Sequence, residues 1–333
     1  MKTIGTATLG VIFALTAITG CDKIRAIKKA AEGASAATTT AAQQAVDPDD
    51  ALAEKLGEYI NCLNYASKFA SSSRKRYLSW VDEKTGPTGK ERSVGGVGSL
   101  EQDSCLKSLE NAKTMAPSLP ELDAAAGNYK TALQELVPLV DAAKKYYDQE
   151  DYKDDKMAKG KQMHGPLMAG FAKFRAADKP FDDIVTRMNE ALNARQLQKL
   201  AKDPAARLQY LTKKSLAESK ALVSEVDIAA LKDLDLAKYQ VALDNVEKAN
   251  TELETYTTSH KAEVDKVSLF QSFVSDQEKF IKAAKELMRR KRDNKDFNKE
   301  TFSDSNPELV NGHPAQVIDT FNRMIGSSNS LRF

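Results

Sequence analysis

The residues with the clearest capacity for chemistry lie in one run, YYDQEDYKDDKMAKGKQMH, which extends from Tyr146 to His164. Asp151 and Asp155 are four residues apart, so a continuing helix would place both carboxylates on one face, with Tyr147 one turn earlier. Two carboxylates beside an imidazole can bind a divalent cation or transfer a proton. The same pattern is typical of a solvated helix end whose lysines neutralise the acids, and the sequence favours that interpretation. The residues left open as a ligand or partner site are Tyr146, Tyr147, Asp151, Tyr152, Asp155 and His164.

A second pair, His260 and Glu263, is separated by three residues within a long periodic segment. An imidazole and a carboxylate at that spacing can ligate one metal ion. Di-iron bundles, however, use Glu followed by His in repeated copies, and only one reversed copy occurs in this sequence. We therefore predict no metal site and no cofactor, keep His260 and Glu263 as weak candidates, and favour a histidine hydrogen-bonded within a helix seam.

The glycine-rich run TGPTGKERSVGGVG, which begins at Thr85, does not match a phosphate-binding loop. Such a loop has four residues between its glycines and a Ser or Thr after its lysine. In this run Gly86 and Gly89 are too close, and Glu91 follows Lys90. The run predicts an ordinary loop between helices. No nucleophile elbow, zinc motif or dinucleotide fingerprint occurs elsewhere, so we predict no catalytic residue.

Residues 1–20 have the features of a secretory signal: one lysine, a short apolar segment and small residues before Cys21. The apolar segment is too short to span a bilayer. The ending Ile-Thr-Gly-Cys resembles the lipobox of bacterial lipoproteins, in which the Cys sulfur is lipidated before cleavage. An ordinary secreted protein with a Cys near its cleavage site is the alternative.

A lipobox implies that Cys21 carries acyl chains, and two chains are enough for stable membrane attachment. The expected location is therefore the bacterial cell envelope, with the protein lipid-anchored and facing the periplasm. Asp22 resembles the inner-membrane retention signal of enteric bacteria, although Lys23 weakens that inference. The choice between inner and outer membrane stays open.

Two further cysteines, Cys62 and Cys105, remain after Cys21 is assigned to lipid. Two thiols in an oxidising compartment favour a disulfide. Two buried free thiols, or half of a metal site, are the alternatives.

Composition narrows the function class. The formal net charge is +2, which is too small to attract nucleic acid. Residues 21–47 are rich in Ala and Thr and poor in large apolar residues, so they predict a flexible tether. The remaining chain is rich in helix-forming residues.

Apolar residues at four-three spacing predict an all-α fold, an elongated multi-helix bundle with long antiparallel helices. A helix begins at Asp47-Pro48, and a regular seam runs from Leu122 to Tyr147. We predict a first helical lobe over residues 48–179 and a second over residues 180–326, with one continuous bundle as the alternative. Residues 327–333 are expected to fray unless Phe333 docks.

Prolines and periodicity set the expected helix ends in the second half. Pro166 and Pro180 each predict the start of a new helix. The longest periodic stretch runs from Tyr239 to Val267 and continues loosely to Ile281, which favours one long helix, either a coiled-coil-like arm or a bundle helix. Asn250 falls in that seam, where one polar residue can fix register.

The runs RYLSWVDEKTGPTGKE (residues 76–91) and YYDQEDYKDDKMAKGKQMH resemble the YiiG-type bacterial lipoproteins. The lipobox, the Cys62/Cys105 pair and the ending DTFNRMI (residues 319–325) are similar too, so the resemblance covers most of the chain after the signal. That family carries a domain of unknown function. The resemblance implies an all-helical envelope lipoprotein, and it supplies no activity or catalytic residue.

These features favour a non-catalytic binding, adaptor or structural module. Its expected partners are the membrane, through the lipid anchor, and another envelope protein, received by a groove between helices or by the long second-half helix. The alternative is an envelope metal-binding protein or enzyme that uses the cluster between Tyr146 and His164.

Overall fold

The computed structural model of the protein describes residues 47–226, 234–295 and 307–333. The predicted signal peptide (1–20), Cys21 and all but the last residue of the predicted tether (21–47) lie outside these ranges. Helices dominate the described residues, which contain no β-strand, and the predicted all-α multi-helix bundle is confirmed. No helix within these ranges has the length and apolarity needed to cross a membrane.

The α-helices of the described ranges are α1 (Pro48–Cys62), α2 (Lys68–Leu78), α3 (Asp103–Thr114), α4 (Pro120–Asp148), α5 (Ala158–Ala201), α6 (Arg207–Ser224), α7 (Leu236–Ser259), α8 (Lys261–Val264), α9 (Phe270–Arg292) and α10 (Pro314–Ser328). A π-helical turn (Leu63–Ser67) joins α1 to α2, and short 3-10 turns occupy Asp151–Lys153, Pro204–Ala206 and Pro307–Leu309.

The described chain forms two compact units, divided within α5 between Leu192 and Asn193. We call residues 47–192 the N-terminal unit and the described residues from 193 onward the C-terminal unit. The sequence analysis predicts the division between residues 179 and 180, which is also within α5 but nearer its N-terminus.

The prediction that new helices begin at Pro166 and Pro180 is wrong. Both prolines lie inside α5, which continues for 44 residues. A proline inside a helix removes one backbone hydrogen bond and clashes with the preceding turn. The helix persists because its buried side chains stay in register on both sides of the prolines. Those side chains are Leu167, Phe171, Phe174, Phe181, Ile184, Val185 and Leu192.

Helix α1 begins as the sequence predicts. The Asp47 carboxylate accepts a hydrogen bond from the backbone N–H of Asp49, 2.8 Å away, and Pro48 occupies the first turn. Leu56 and Tyr59 then face the interior and are almost completely buried. The π-helical turn inserts before α2, so the helix that begins at Pro48 continues through Leu78 but is locally underwound.

Helices α4 and α5 are antiparallel neighbours in the N-terminal unit. Glu121 near the start of α4 lies 3.3 Å from Arg187 late in α5, and Tyr129 packs on Phe174 with ring centroids 5.0 Å apart. Pro138 lies inside α4. Helix α1 contacts both, since Tyr59 lies 5.5 Å from the ring of Phe181 and Lys55 pairs with Asp123. Helix α2 also contacts both, because Tyr77 packs on Tyr147 and His164. The result is a bundle with tyrosines at its centre.

The C-terminal unit surrounds an apolar core contributed by α6, α7, α9 and α10. Tyr239 at the start of α7 donates a hydrogen bond to the carbonyl of Ala284 late in α9, at 3.2 Å, so these helices are antiparallel. The rings of Phe280 and Phe321 join α9 to α10, with centroids 5.7 Å apart.

The predicted long helix from Tyr239 to Ile281 is wrong. Helix α7 ends at Ser259, and the chain reverses before α9 begins at Phe270. The hydroxyls of Thr257 and Thr258 both donate to the Glu254 carbonyl, at 3.0 and 2.8 Å. Side-chain donors of this kind compete with backbone N–H groups for helix carbonyls and so weaken the last turns of α7.

Two further details differ from the sequence expectation. The buried seam position of α7 is Ala249, whereas Asn250 lies on the outer side and donates to Glu254 at 2.7 Å. At the carboxyl end, Ser328 and Leu331 are fully buried, and Leu331 belongs to the C-terminal core. The last residues therefore pack against the unit through Leu331, with Phe333 at the surface.

Candidate functional site

The aromatic residues of the predicted cluster converge in the N-terminal unit, together with two rings from the α2 region. The Tyr147 ring lies 5.0 Å from Trp80 and 6.1 Å from Tyr77, and Tyr77 lies 5.8 Å from His164. Tyr77, Tyr147 and His164 are buried. Edge-on and tilted ring contacts at these separations stabilise packing. We call these four residues, with Tyr146, the aromatic cluster.

His164 has a hydrogen-bond partner on each ring nitrogen. Nδ1 lies 3.1 Å from the Tyr77 hydroxyl, and Nε2 lies 3.0 Å from the backbone carbonyl of Glu83. A carbonyl can only accept, so Nε2 carries the proton and Nδ1 accepts from the Tyr77 hydroxyl. The imidazole is therefore fixed in one tautomer inside the protein.

The tyrosines of the cluster are held in their neutral form. Burial raises the pKa of Tyr77 and that of Tyr147. Burial and a hydrogen bond to Asp155 raise the pKa of Tyr146 to about 12. The buried Tyr147 hydroxyl lies next to that of Tyr77, but no hydrogen bond of regular geometry reaches it from the described residues.

Both carboxylate oxygens of Asp155 accept hydrogen bonds from residues of the same unit. One oxygen accepts from the Tyr146 hydroxyl at 2.7 Å, and the other accepts from the backbone N–H of Lys159 at 2.9 Å, in the first turn of α5. Burial opposes ionisation, but the hydrogen bonds from Lys159 and Tyr146 prevail and lower the pKa of Asp155. Asp155 is thus a helix-capping carboxylate that also anchors Tyr146.

The expected pairing of Asp151 and Asp155 on one helical face is wrong. Helix α4 ends at Asp148, Glu150 has a left-handed backbone with φ of 58°, and Asp151 lies in a short 3-10 turn. Tyr152 in the same turn is half-buried, and its ring is 6.3 Å from that of Tyr147. No continuous helix carries the two residues, although the Asp155 backbone N–H still donates to the Asp151 carbonyl at 3.2 Å and both acids act on Tyr146.

The glycine-rich loop forms the outer wall of the aromatic cluster. Gly86 has φ of 73°, and a Cβ there would lie 2.8 Å from the His164 ring. A Cβ at Gly95 would lie 2.8 Å from Trp80, whose indole donates to the Gly96 carbonyl at 2.8 Å. Close packing requires a glycine at both positions, and the left-handed backbone favours one at Gly86. Phosphate binding is therefore not needed to explain the glycine-rich run.

We expect Gly86→Ala to destabilise the N-terminal unit by about 2 kcal/mol, because it adds a left-handed alanine and displaces the His164 ring. Gly127→Ala is the control, since no atom lies within 4 Å of a Cβ placed there on α4; it should stabilise the helix by about 0.5–1 kcal/mol. Urea denaturation followed by Trp80 fluorescence measures both, because Trp80 is the only tryptophan. Equal stability of the two variants would contradict the close packing.

The second candidate pair does not form a buried site. His260 is exposed at the end of α7 and stacks on Tyr256, with centroids 3.9 Å apart. Its Nδ1 lies 3.0 Å from the Tyr256 carbonyl, while Glu263 accepts from the Tyr256 hydroxyl at 2.8 Å. The expectation of a seam histidine is wrong, because α7 ends before this residue. Across the described residues, no group of three or more His, Cys, Asp or Glu side chains is arranged to hold a metal ion.

An ion pair between a buried lysine and a partly exposed aspartate lies at the other end of the N-terminal bundle, and sequence reasoning missed it. The Lys55 ammonium lies 2.9 Å from the Asp123 carboxylate and donates to the Pro117 carbonyl at 3.0 Å. Tyr59 donates to the same carboxylate at 2.5 Å. Burial acts against ionisation, but hydrogen bonds from Tyr59 and Lys55 lower the pKa of Asp123.

A second missed group lies midway along the bundle. Ser67, the last residue of the π-helical turn, donates to Asp178 at 2.6 Å and lies 2.9 Å from the Tyr129 hydroxyl. Asp182 follows Asp178 by one helical turn on α5. The sequence signal for Asp178 is its register. It lies four residues after Phe174 and three before Phe181, on the same side of α5 as these two buried rings, and is itself half-buried.

The disulfide expected between Cys62 and Cys105 is present and joins α1 to α3, with Cα atoms 4.1 Å apart. Both cysteines are buried.

Comparison with known proteins identifies a family and assigns no activity. Residues 50–330 match the family described as "Protein of unknown function (DUF3829)". The chain is 30% identical over 307 residues to "Uncharacterized protein YiiG" of Escherichia coli (strain K12), covering 90% of this chain and 84% of that protein. No solved structure matches the chain. The family match spans most of the sequence, and the chain therefore belongs to the DUF3829 family of proteins of unknown function.

Proposed function

We propose that this protein is a non-catalytic binding, adaptor or structural module of the bacterial cell envelope. The observation that carries the proposal is the internal use of the reactive side chains in the aromatic cluster. Both nitrogens of His164 and both oxygens of Asp155 have partners within the unit. A general acid, base or metal ligand needs an atom that can reach a substrate or ion. These atoms are instead hydrogen-bonded to other residues of the unit.

The location is part of the same proposal. The features of residues 1–21 support lipidation of Cys21 and attachment to a membrane on its periplasmic side, and Asp22 favours the inner membrane. The Cys62–Cys105 disulfide supports an oxidising compartment. The small net charge of +2 supports a protein partner rather than nucleic acid.

Labelling with radioactive palmitate tests the anchor. We expect the wild-type chain to be labelled and Cys21→Ala to lose the label completely, because the thioether is the site of attachment. The variant Cys62→Ala/Cys105→Ala should keep the label and serves as the control. Mass spectrometry that finds an unmodified residue 21, or a mature chain beginning at Met1, would overturn the anchor.

Crosslinking in intact cells, followed by purification of the full chain from membranes, tests the binding role. We expect a discrete partner protein that is recovered with the wild-type chain and lost when lipidation is abolished. A stoichiometric metal ion in protein purified without chelator would instead support a metal-dependent function. Failure to recover any specific partner would contradict the adaptor role while leaving the anchor intact.

A further inference from the structure

Trp80 and Tyr77 are two oxidisable rings in contact, one nearer the surface of the N-terminal unit and one in its interior. Trp80 is half-buried, whereas Tyr77 is only 1% exposed. Their ring centroids lie 5.5 Å apart at an interplanar angle of 87°, so the edge of one ring meets the face of the other. Indole and phenol are among the side chains that lose a single electron most readily, and rings in contact can exchange an electron directly.

The Tyr77 hydroxyl has a base positioned to receive its proton. It donates to Nδ1 of His164 across 3.1 Å, and Nε2 of the same ring donates to the Glu83 carbonyl at 3.0 Å. An imidazolium has a donor on both nitrogens, so after protonation Nε2 still donates to Glu83 and Nδ1 donates back to the Tyr77 oxygen. The product of the proton transfer is therefore hydrogen-bonded without any rearrangement of the ring.

A proton acceptor decides whether a buried tyrosine can give up an electron. Loss of the electron alone leaves a positive charge on the ring in an apolar interior, which is costly. Loss of the proton first is also unfavourable, since burial raises the pKa of Tyr77. Transfer of the electron to Trp80 together with transfer of the proton to His164 avoids both intermediates and places the charge on an imidazolium.

The other tyrosines of the aromatic cluster are less suited to this step. The Tyr147 ring is nearer to Trp80, with centroids 5.0 Å apart, but no hydrogen bond of regular geometry from the described residues reaches its buried hydroxyl. Tyr146 donates to Asp155 at 2.7 Å. Burial opposes ionisation of that carboxyl, but its hydrogen bonds prevail and lower its pKa, so it is a weak proton acceptor. An imidazole is a stronger base than a carboxylate, and within the cluster Tyr77 combines such a base with contact to Trp80.

We propose that Tyr77 is a redox-active tyrosine, which supplies one electron to Trp80 after a one-electron oxidant has oxidised the indole, while its phenolic proton moves to Nδ1 of His164. The oxidant is a small radical in solution, and it gains the electron that the indole loses. The indole keeps its own proton, because its Nε1–H donates to the Gly96 carbonyl, a very weak base, at 2.8 Å. Trp80 therefore returns to its neutral form, Tyr77 becomes a neutral phenoxyl radical and His164 becomes an imidazolium. The N-terminal unit takes up one oxidising equivalent in its interior and keeps Trp80 intact.

This property is independent of the binding or adaptor role proposed above. The hydrogen bonds that withhold His164 from a substrate are the same bonds that an internal proton transfer requires. The phenoxyl radical forms on a ring that is 1% exposed, so two chains cannot couple through Tyr77 into a dityrosine crosslink.

Pulse radiolysis of the purified full chain, with the azide radical as the one-electron oxidant, tests the proposal. This radical oxidises tryptophan at neutral pH, and Trp80 is the only tryptophan. We expect the absorption of the indole radical to decay at the rate at which phenoxyl absorption appears. In Tyr77→Phe this coupled phase should be lost and the indole radical should persist. The matched control is Tyr147→Phe, which removes the hydroxyl from the ring nearer to Trp80 and should retain the wild-type phase.

His164→Gln separates the base from the hydrogen bond. The glutamine side chain can accept from the Tyr77 hydroxyl and donate to the Glu83 carbonyl, but it does not take up a proton at neutral pH. We expect electron transfer from Tyr77 to Trp80 to slow by about a hundredfold, the lower end of the contribution of a positioned base. An unchanged rate in a folded His164→Gln chain would contradict the role of the imidazole.

Two measurements on the wild-type chain cover the case in which a variant does not fold. The transfer should be slower in D2O than in H2O, because the phenolic proton moves with the electron. Electron paramagnetic resonance of the chain frozen after oxidation should show a phenoxyl radical whose oxygen accepts a hydrogen bond from an exchangeable proton. An indole radical that decays without forming phenoxyl, a coupled phase that survives in Tyr77→Phe, or equal rates in the two solvents would overturn the proposal.

Discussion

Asp123→Ala is expected to lower the free energy of unfolding of the N-terminal unit by about 3–5 kcal/mol. Its partner Lys55 has a side chain that is only 1% exposed, so the substitution leaves an ammonium group in the interior with the Pro117 carbonyl as its remaining acceptor. Tyr59 also loses its acceptor, since its hydroxyl donates to Asp123. Urea denaturation followed by Trp80 fluorescence measures the loss.

Substitution of Lys55, the other member of the pair, is expected to lower the free energy of unfolding by less. In Lys55→Met the carboxylate of Asp123 keeps hydrogen bonds from Tyr59 and from the Leu119 backbone N–H, and 27% of its side chain is exposed to water. The double variant Lys55→Met/Asp123→Ala should recover much of the stability lost in Asp123→Ala, because no charge is then buried.

Glu121→Ala provides the matched control for this pair. Glu121 is also an acid in the first turn of α4, but its ion pair with Arg187 is exposed on both sides. We expect a loss of at most about 1 kcal/mol. If Asp123→Ala cost no more than Glu121→Ala, the Lys55 ammonium would have to reach water in the folded state, contrary to the structure.

The parts of the fold that the sequence predicts are those with several agreeing signals. Helix α1 combines an Asp cap, a proline in the first turn and an apolar seam, and it begins as expected. The seam of α4 runs from Leu122 to Tyr147, and its four-three spacing alone predicts this helix. The disulfide is predicted because only Cys62 and Cys105 remain once Cys21 is assigned to lipidation.

The errors arise where local pattern and tertiary packing disagree. Apolar residues continue through Val264 and Val267, so spacing alone could not show that α7 ends at Ser259. Conversely, Pro180 is a strong local signal for a helix start, yet Phe181 and its neighbours bury enough surface to keep α5 continuous.

The candidate site shows the same conflict between spacing and packing. Asp151 and Asp155 have the same spacing as Asp178 and Asp182, but only the second pair lies within one continuous helix, where both side chains are half-buried. The first pair has more acidic and aromatic neighbours in sequence, which favour it as a site. The second is identifiable from register with Phe174 alone, a weaker sign because it requires knowing which helix lies opposite.

Removal of the Cys62–Cys105 disulfide has the other large expected effect. The bond closes a loop with a sequence separation of 43, for which the chain-entropy model gives about 4 kcal/mol of stabilisation. We expect Cys62→Ala/Cys105→Ala to lose about that amount in the N-terminal unit. Urea denaturation followed by Trp80 fluorescence measures it under oxidising conditions.

Reduction of the wild-type chain provides the comparison that separates the cross-link from packing. Both cysteines are almost fully buried, and alanine at each site removes a sulfur as well as the bond. If the bond supplies the stability, reduced wild type should unfold at nearly the same urea concentration as the double alanine variant, with a small difference from the lost sulfur contacts. The Lys55–Asp123 pair near the start of α1 should also become more sensitive to substitution, because α3 is then no longer tied to α1. Equal stability of the oxidised and reduced wild-type chains would show that the helix contacts, rather than the covalent link, hold α3 in place.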